Sequence, residues 1–120
     1  MPINEQMERC LVSDVIAFDD FKKLELRVGE ILEVNLHPNA DKLYVLIVDF
    51  GGDKRQLVAG LKGHYQAEEM VGKKIVVVTN LEPASLRGVE SRGMLLAAQS
   101  GEVVSLLTVD KDVPAGSKVL

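Results

Sequence analysis

Apolar residues recur every four positions at the start of the chain, at Ile3, Met7, Leu11 and Val15, behind a Pro2 that a first helical turn tolerates. This spacing predicts a short amphipathic helix over residues 3–12, with a frayed terminal arm as the competing reading. Asp19-Asp20 ahead of Phe21-Lys22-Lys23-Leu24 predicts an N-cap and one further helical turn. From Leu24 the period changes to two. Leu24, Leu26 and Val28 alternate with Glu25 and Arg27, and the phase slips at Gly29-Glu30 before Ile31-Leu32-Glu33-Val34. A glycine at such a slip predicts a β-bulge, which bends a strand so that a sheet can close. After His37-Pro38-Asn39-Ala40-Asp41 comes a second strand over 42–50. Gly51-Gly52-Asp53 then supplies the positive-φ residues of a hairpin, and 55–59 is the returning strand.

Residues 64–70 are too polar for a strand and predict a short helix ended by Gly72. Residues 73–79 contain Ile75-Val76-Val77-Val78, a buried strand by composition. A glycine- and serine-bearing loop is expected over 82–93, a strand over 94–99, a turn at 100–102 and a strand over 103–109. A turn-rich tail then leads to a last short segment, 117–120. The order is three strands, one short helix, then further strands. A parallel sheet needs a crossover helix per strand pair and is excluded. The expected fold is all-β: a five-stranded OB-fold barrel with a short helix between strands 3 and 4, a short N-terminal helix and C-terminal extension strands. Residues 1–17 are expected to form a helical arm and 18–120 the barrel domain.

The 120 residues (13.1 kDa) are 47% hydrophobic and 27% charged, which suits one soluble globular domain. The longest apolar run, 43–48, is far short of the ~18 residues that cross a bilayer. The first ten residues have neither a basic nor an apolar leader region, so a cytoplasmic protein without membrane partners is expected. The single cysteine, Cys10, excludes an internal disulfide. The net charge of −4 lies wholly in residues 1–20; the other hundred are neutral, and the stretch 51–92 carries seven basic against five acidic side chains. An acidic pI of about 5.2 argues against generic polyanion binding, yet a local basic face is compatible with it.

Catalysis finds little material. His37 and His64 are isolated and read as loop or surface residues, and no third ligand stands at metal-binding spacing. Cys10 has only Arg9 beside it and reads as a small hydrophobe. Gly60-Leu61-Lys62-Gly63 does not match a phosphate loop, and no serine is paired with a histidine. No enzyme activity, metal or cofactor is expected. Nucleic-acid contact has better material. Asn39 and Lys42 flank the start of the second strand, and Arg87, Ser91 and Arg92 stand between glycines in the 82–93 loop. Glycine lets a backbone approach phosphate, to which Arg and Ser donate, although the same residues could merely close a barrel. Five aromatic residues are few for stacking successive bases, so shape and phosphate contacts should dominate.

Four stretches in order, Leu26-Arg27-Val28-Gly29-Glu30-Ile31, His37-Pro38-Asn39-Ala40-Asp41-Lys42-Leu43-Tyr44, Val58-Ala59-Gly60-Leu61 and Leu86-Arg87-Gly88-Val89-Glu90-Ser91-Arg92-Gly93-Met94-Leu95-Leu96-Ala97-Ala98, closely resemble the tRNA-binding domain family. That family includes the C-terminal domain of methionyl-tRNA synthetase, its free-standing beta-subunit counterpart and other structure-specific tRNA-binding proteins. The resemblance runs from about Phe18 to the C-terminus. It implies recognition of the shape of tRNA rather than its anticodon, and a homodimer built largely with the C-terminal strands. It also implies an auxiliary role to a methionyl-tRNA synthetase catalytic subunit, which a chain starting at Met1 would meet as a separate polypeptide. The tRNA-facing residues it implies are Asn39, Lys42, Asn80, Arg87, Ser91 and Met94, with Arg92 as a neighbour. Core packing is the competing role for Met94, and turn stabilisation that for Asn39.

Relatives commonly read Asn-Leu-Lys-Pro-x-Lys where this chain has Asn80-Leu81-Glu82-Pro83-Ala84-Ser85. Two phosphate partners are thus absent and one is reversed in sign, which implies weaker binding or recruitment of Lys62, Lys73 and Lys74. The alternative function is a chaperone-like, peptide-binding homodimer on the same barrel, which would not need Lys42 or Arg87.

Overall fold

The computed structural model describes residues 15–120. The amphipathic segment expected over 3–12, Cys10 included, lies outside the described residues. The chain forms a curled, five-stranded antiparallel half-barrel of OB-like fold with two short helices and two extra hairpins, as the all-β expectation required.

Helix α1 spans Phe18–Phe21, one turn earlier than expected. Ala17 is its N-cap, so Asp19 and Asp20 sit in the first turn, where the helix dipole favours acidic side chains. Strand β1, Leu26–Leu36, is the spine of the sheet. Its first half pairs with β4 (Lys74–Val78), from Leu26↔Val78 to Glu30↔Lys74. Its second half pairs with β2 (Tyr44–Asp49), from Glu30↔Asp49 to Leu36↔Tyr44. One strand serves both walls, so it must bend.

The bend is not placed as the sequence suggests. The register shifts between Ile31 and Glu33, making Leu32 the extra residue of the bulge, while Gly29 stays in regular pairing. Gly29 has a packing role instead. A β-carbon there would fall 2.5 Å from Val48 Cγ1 and 2.7 Å from Phe50 Cε1, both side chains of the core.

Strand β3, Lys54–Ala59, returns antiparallel to β2. Gly51 and Gly52 between them take φ of 83° and 111°, as the hairpin expectation required. The helix expected over 64–70 is shorter: α2 covers Ala67–Met70 and begins with a capping box between Gln66 and Glu69. His64 stays in the preceding turn. Ile31, Leu46, Val48, Leu57, Met70, Ile75 and Val77 form the fully buried centre.

The second half of the chain departs most from expectation. The region 82–93 is not an open loop: β5 (Ala84–Leu86) and β6 (Val89–Ser91) form a hairpin. Its two turn residues, Arg87 and Gly88, both have positive φ, 54° and 89°, the signature of a type I′ turn. The strand expected over 94–99 is split. Strand β7 (Met94–Leu95) completes the main sheet beside β4, and β8 (Ala97–Ser100) leaves it to pair with β9 (Val103–Leu106). Leu106 anchors this hairpin in the core, with its N–H donating to Tyr65 Oη at 3.0 Å. The tail then covers the open edge of β1 where β2 has turned away. Gly116 N–H donates to Val28 O (2.7 Å), Val28 N–H to Ser117 O (2.8 Å) and Val119 N–H to Leu26 O (2.9 Å).

Candidate nucleic-acid interface

The outer strands of the sheet, β3 and β7, do not pair with each other. The β6 end of the hairpin fills the gap. Val58 N–H donates to Ser91 Oγ at 3.0 Å, and that hydroxyl donates to Gly93 O at 2.9 Å. Arg92 N–H donates to Gln56 O (2.9 Å) and Gln56 Nε2 to Glu90 O (2.8 Å). Ser91 is only 4% exposed, so its hydroxyl serves as the closing bolt of this seam. Gly93 sits beside it with φ 142°, and a β-carbon there would lie about 3.1 Å from both Leu57 Cδ2 and Val78 O.

Asn80 is also a fastener. Its Oδ1 accepts from Glu25 N–H at 2.8 Å and its Nδ2 donates to Lys23 O at 2.5 Å. These bonds pin the entry of β1 to the exit of β4, and Thr79 adds bonds from its N–H and hydroxyl to Glu25 O. The Arg27 guanidinium donates to Glu25 at 2.6 Å, and this bond, then the charge of Arg27, holds the Glu25 carboxyl below its ordinary range.

The remaining expected residues, Asn39, Lys42, Arg87, Arg92 and Met94, are exposed. The turn 37–42 and the tip of the β5–β6 hairpin are tied together by His37 and Asn39. Asn39 N–H donates to His37 Nδ1 at 2.9 Å, and His37 Nε2 lies 2.8 Å from Leu86 O. A backbone N–H can only donate and a carbonyl only accept, so Nδ1 is the acceptor and Nε2 carries the proton. Asn39 Nδ2 donates to Arg87 O at 3.1 Å, and the Arg87 guanidinium reaches back to Asn39 O at 3.4 Å. His37 lies in the loop, one of the two places the sequence reading allowed, but it is buried there, 6% exposed, between the two segments. Its position inside the 37–44 motif was visible; its partner at Leu86, 49 residues away, was not.

Lys42 is exposed and forms no hydrogen bond or ion pair among the described residues. Arg92 is exposed and loosely paired with Glu90 at 3.8 Å. Met94 is 51% exposed at the start of β7, so the core role does not describe it. Lys74 is withdrawn from any surface role: its ammonium is held by Asp112 and Val113 O at 2.5 Å each. Lys62 lines a cleft of about 420 Å³ with His64, Tyr65 and Asp41, the last of these from the 37–42 turn. Among the described residues no group of three His, Cys, Asp or Glu side chains could hold a metal, and no helix is long and apolar enough to cross a membrane.

The fold is an OB-like half-barrel in which two loops, the 37–42 turn and the β5–β6 hairpin, are tied together with exposed Asn39 and Arg87 between them. Comparison narrows the class. The family model described as "Putative tRNA binding domain" matches residues 26–118, and the chain belongs to this tRNA-binding domain family. It is 58% identical over 106 residues to a methionine–tRNA ligase of Thermococcus kodakarensis, covering 88% of this chain but only 14% of that enzyme. The crystal structure of a MetRS-related protein from Pyrococcus horikoshii is similar at TM-score 0.83 and 37% identity, covering 89% of this chain and 99% of that one. The crystal structure of the CsaA chaperone protein from Picrophilus torridus is similar at TM-score 0.82 and 33% identity, covering 88% and 100%.

Proposed function

We propose that this chain is a non-catalytic, structure-specific tRNA-binding homodimer in the cytoplasm, acting as an auxiliary domain or beta subunit of methionyl-tRNA synthetase. The observation that carries this reading is the tie between the 37–42 turn and the β5–β6 hairpin, which brings Asn39 and Arg87 together on one ridge, three residues from Lys42. Arg87 and Lys42 supply the cations for phosphate, and Arg92 and Met94 flank them along the chain. Asn80 and Ser91 serve the site by holding its supports. Few cations stand on this ridge, and a second copy would add a second half-site at high effective concentration. The β8–β9 hairpin suits that assembly, because its Val103 is 67% exposed and Leu107 follows it.

Equilibrium binding of folded tRNA across a salt series, against unstructured RNA of equal length, tests the reading. Saturable, salt-sensitive binding that prefers folded tRNA supports it; equal binding of both RNAs overturns shape recognition. Val103→Glu should yield a monomer in sedimentation, and a variant that stays dimeric places the interface elsewhere. The similarity to the CsaA chaperones supports a second reading, peptide binding. That reading gains if folded tRNA fails to bind at low salt while extended apolar peptides do.

A further inference from the structure

We propose that His37 is a positioning residue: a single neutral imidazole that locks the 37–42 turn and the Arg87 hairpin into one rigid RNA-facing unit. The inference rests on the tRNA-binding reading and says how its site is preorganised.

Three observations lead there. His37 joins two segments through opposite edges of one ring, accepting from Asn39 N–H and donating to Leu86 O. It is buried while its chain neighbours Pro38 and Asn39 are exposed, so the ring occupies the gap between the segments. The hairpin it grips is intrinsically costly, because Arg87 is the non-glycine residue with positive φ among the described residues. A strained residue persists where its surroundings over-determine it, and here those surroundings are the His37 bond on one side of the turn and the Asn39 bond on Arg87 O itself.

The consequence for binding is entropic. Without the latch, the Arg87 tip and the Asn39–Lys42 turn would have to be ordered separately when phosphate is engaged, which weakens affinity without removing any contact. The cations themselves are unchanged, so the number of counterions released is unchanged as well.

Two substitutions divide the latch. In His37→Asn the side-chain oxygen can still accept from the N–H two residues on, as in an Asx turn, but cannot reach Leu86. In His37→Gln the amide can reach outward to Leu86 O. With folded tRNA and the full chain, His37→Asn should weaken binding about 3- to 10-fold, the effect of one hydrogen bond, with the salt slope unaltered. His37→Gln should restore most of that loss. Combining His37→Asn with Arg87→Ala should cost little more than Arg87→Ala alone, because the histidine acts through Arg87. Additive losses, or a salt slope that falls with His37→Asn, overturn the positioning role. Imidazole 15N spectra of the RNA-free protein give an independent reading: a proton fixed on Nε2 is expected, and a mixture of tautomers overturns the latch. If the wild-type chain binds no tRNA, the functional reading fails while the spectra still decide the latch.

Discussion

Two parts of this molecule carry the same kinds of polar side chain and use them in opposite ways. At the seam and the β1 entry, Ser91, Gln56, Thr79 and Asn80 direct their hydrogen-bonding groups onto backbone, closing the half-barrel where strand pairing stops. On the outer surface, Lys42, Arg87 and Arg92 are exposed and make at most loose bonds, from Arg87 to Asn39 O at 3.4 Å and from Arg92 to Glu90 at 3.8 Å, while Asn39 and His37 bond to the neighbouring hairpin. The two regions interleave within one short stretch: Arg87, Ser91 and Arg92 share a hairpin and its continuation, yet the serine is interior and both arginines are exposed. A motif is therefore not a uniform site. Substitutions in one region should move stability, and in the other affinity.

The largest effect is expected deep in the framework. Gly29→Ala would press a methyl group against Val48 and Phe50, and both side chains are buried in the core. The expected cost is about 2–3 kcal/mol in urea unfolding. A variant as stable as the wild type would show that β1 can shift at its bend. Next, Ser91→Ala removes the acceptor of Val58 N–H inside the seam and should cost about 1–3 kcal/mol. Affinity for tRNA, measured well below its melting point, should stay within about twofold. A large affinity loss in a fully folded Ser91→Ala protein would move the serine from the framework to the ridge.

Arg87 offers the reverse case, and it sharpens the contrast by changing the two quantities in opposite directions. Arg87→Ala should weaken tRNA about tenfold and flatten the salt dependence by about one released counterion. Arg87→Gly should lose the same affinity yet stabilise the fold by roughly 0.5–1 kcal/mol, because glycine adopts φ of 54° without strain. A stabilised variant with undiminished affinity would remove Arg87 from the interface.

The framework was largely legible before the structure because burial leaves a period in the sequence. Leu26 to Val34, 42–50 and Ile75 to Val78 alternate or run apolar, and Gly51-Gly52 marks its turn. Less was legible after residue 80. The β5–β6 hairpin is almost wholly exposed, so it carries no apolar period, and its turn places an arginine where Asn or Gly would have announced a type I′ geometry. The split at Leu96 was hidden for the opposite reason: 94–98 is continuously apolar, and only its partners show that it changes sheets. Site residues were named as a group, but sorting them needed contacts 33 to 57 residues away, as between Ser91 and Val58 or Asn80 and Lys23.

The smallest expected effect concerns pH, and it tests whether the framework responds to anything other than packing. The side chains of Asn80, Thr79 and Ser91 carry no titrating proton in the accessible range, whereas Glu25 joins the same β1 entry with a carboxylate. Hydrogen bonding and charge from Arg27 lower its folded pKa below the reference value of 4.5. The unfolded chain therefore binds the proton first as pH falls. The pair's stabilisation is complete above about pH 4.5 and fades as pH drops through the lower folded value. Both side chains are substantially exposed, so water and salt screen the pair and the effect is small. Melting temperatures of the wild type and of Glu25→Gln, compared from pH 7 to pH 3 at low salt, should differ slightly at neutral pH and draw together as pH falls below 4.5. A gap that persists unchanged to pH 3 would assign the role of the Glu25 side chain to contacts that do not depend on its charge, because the main-chain bonds to Asn80 and Thr79 are the same in both proteins.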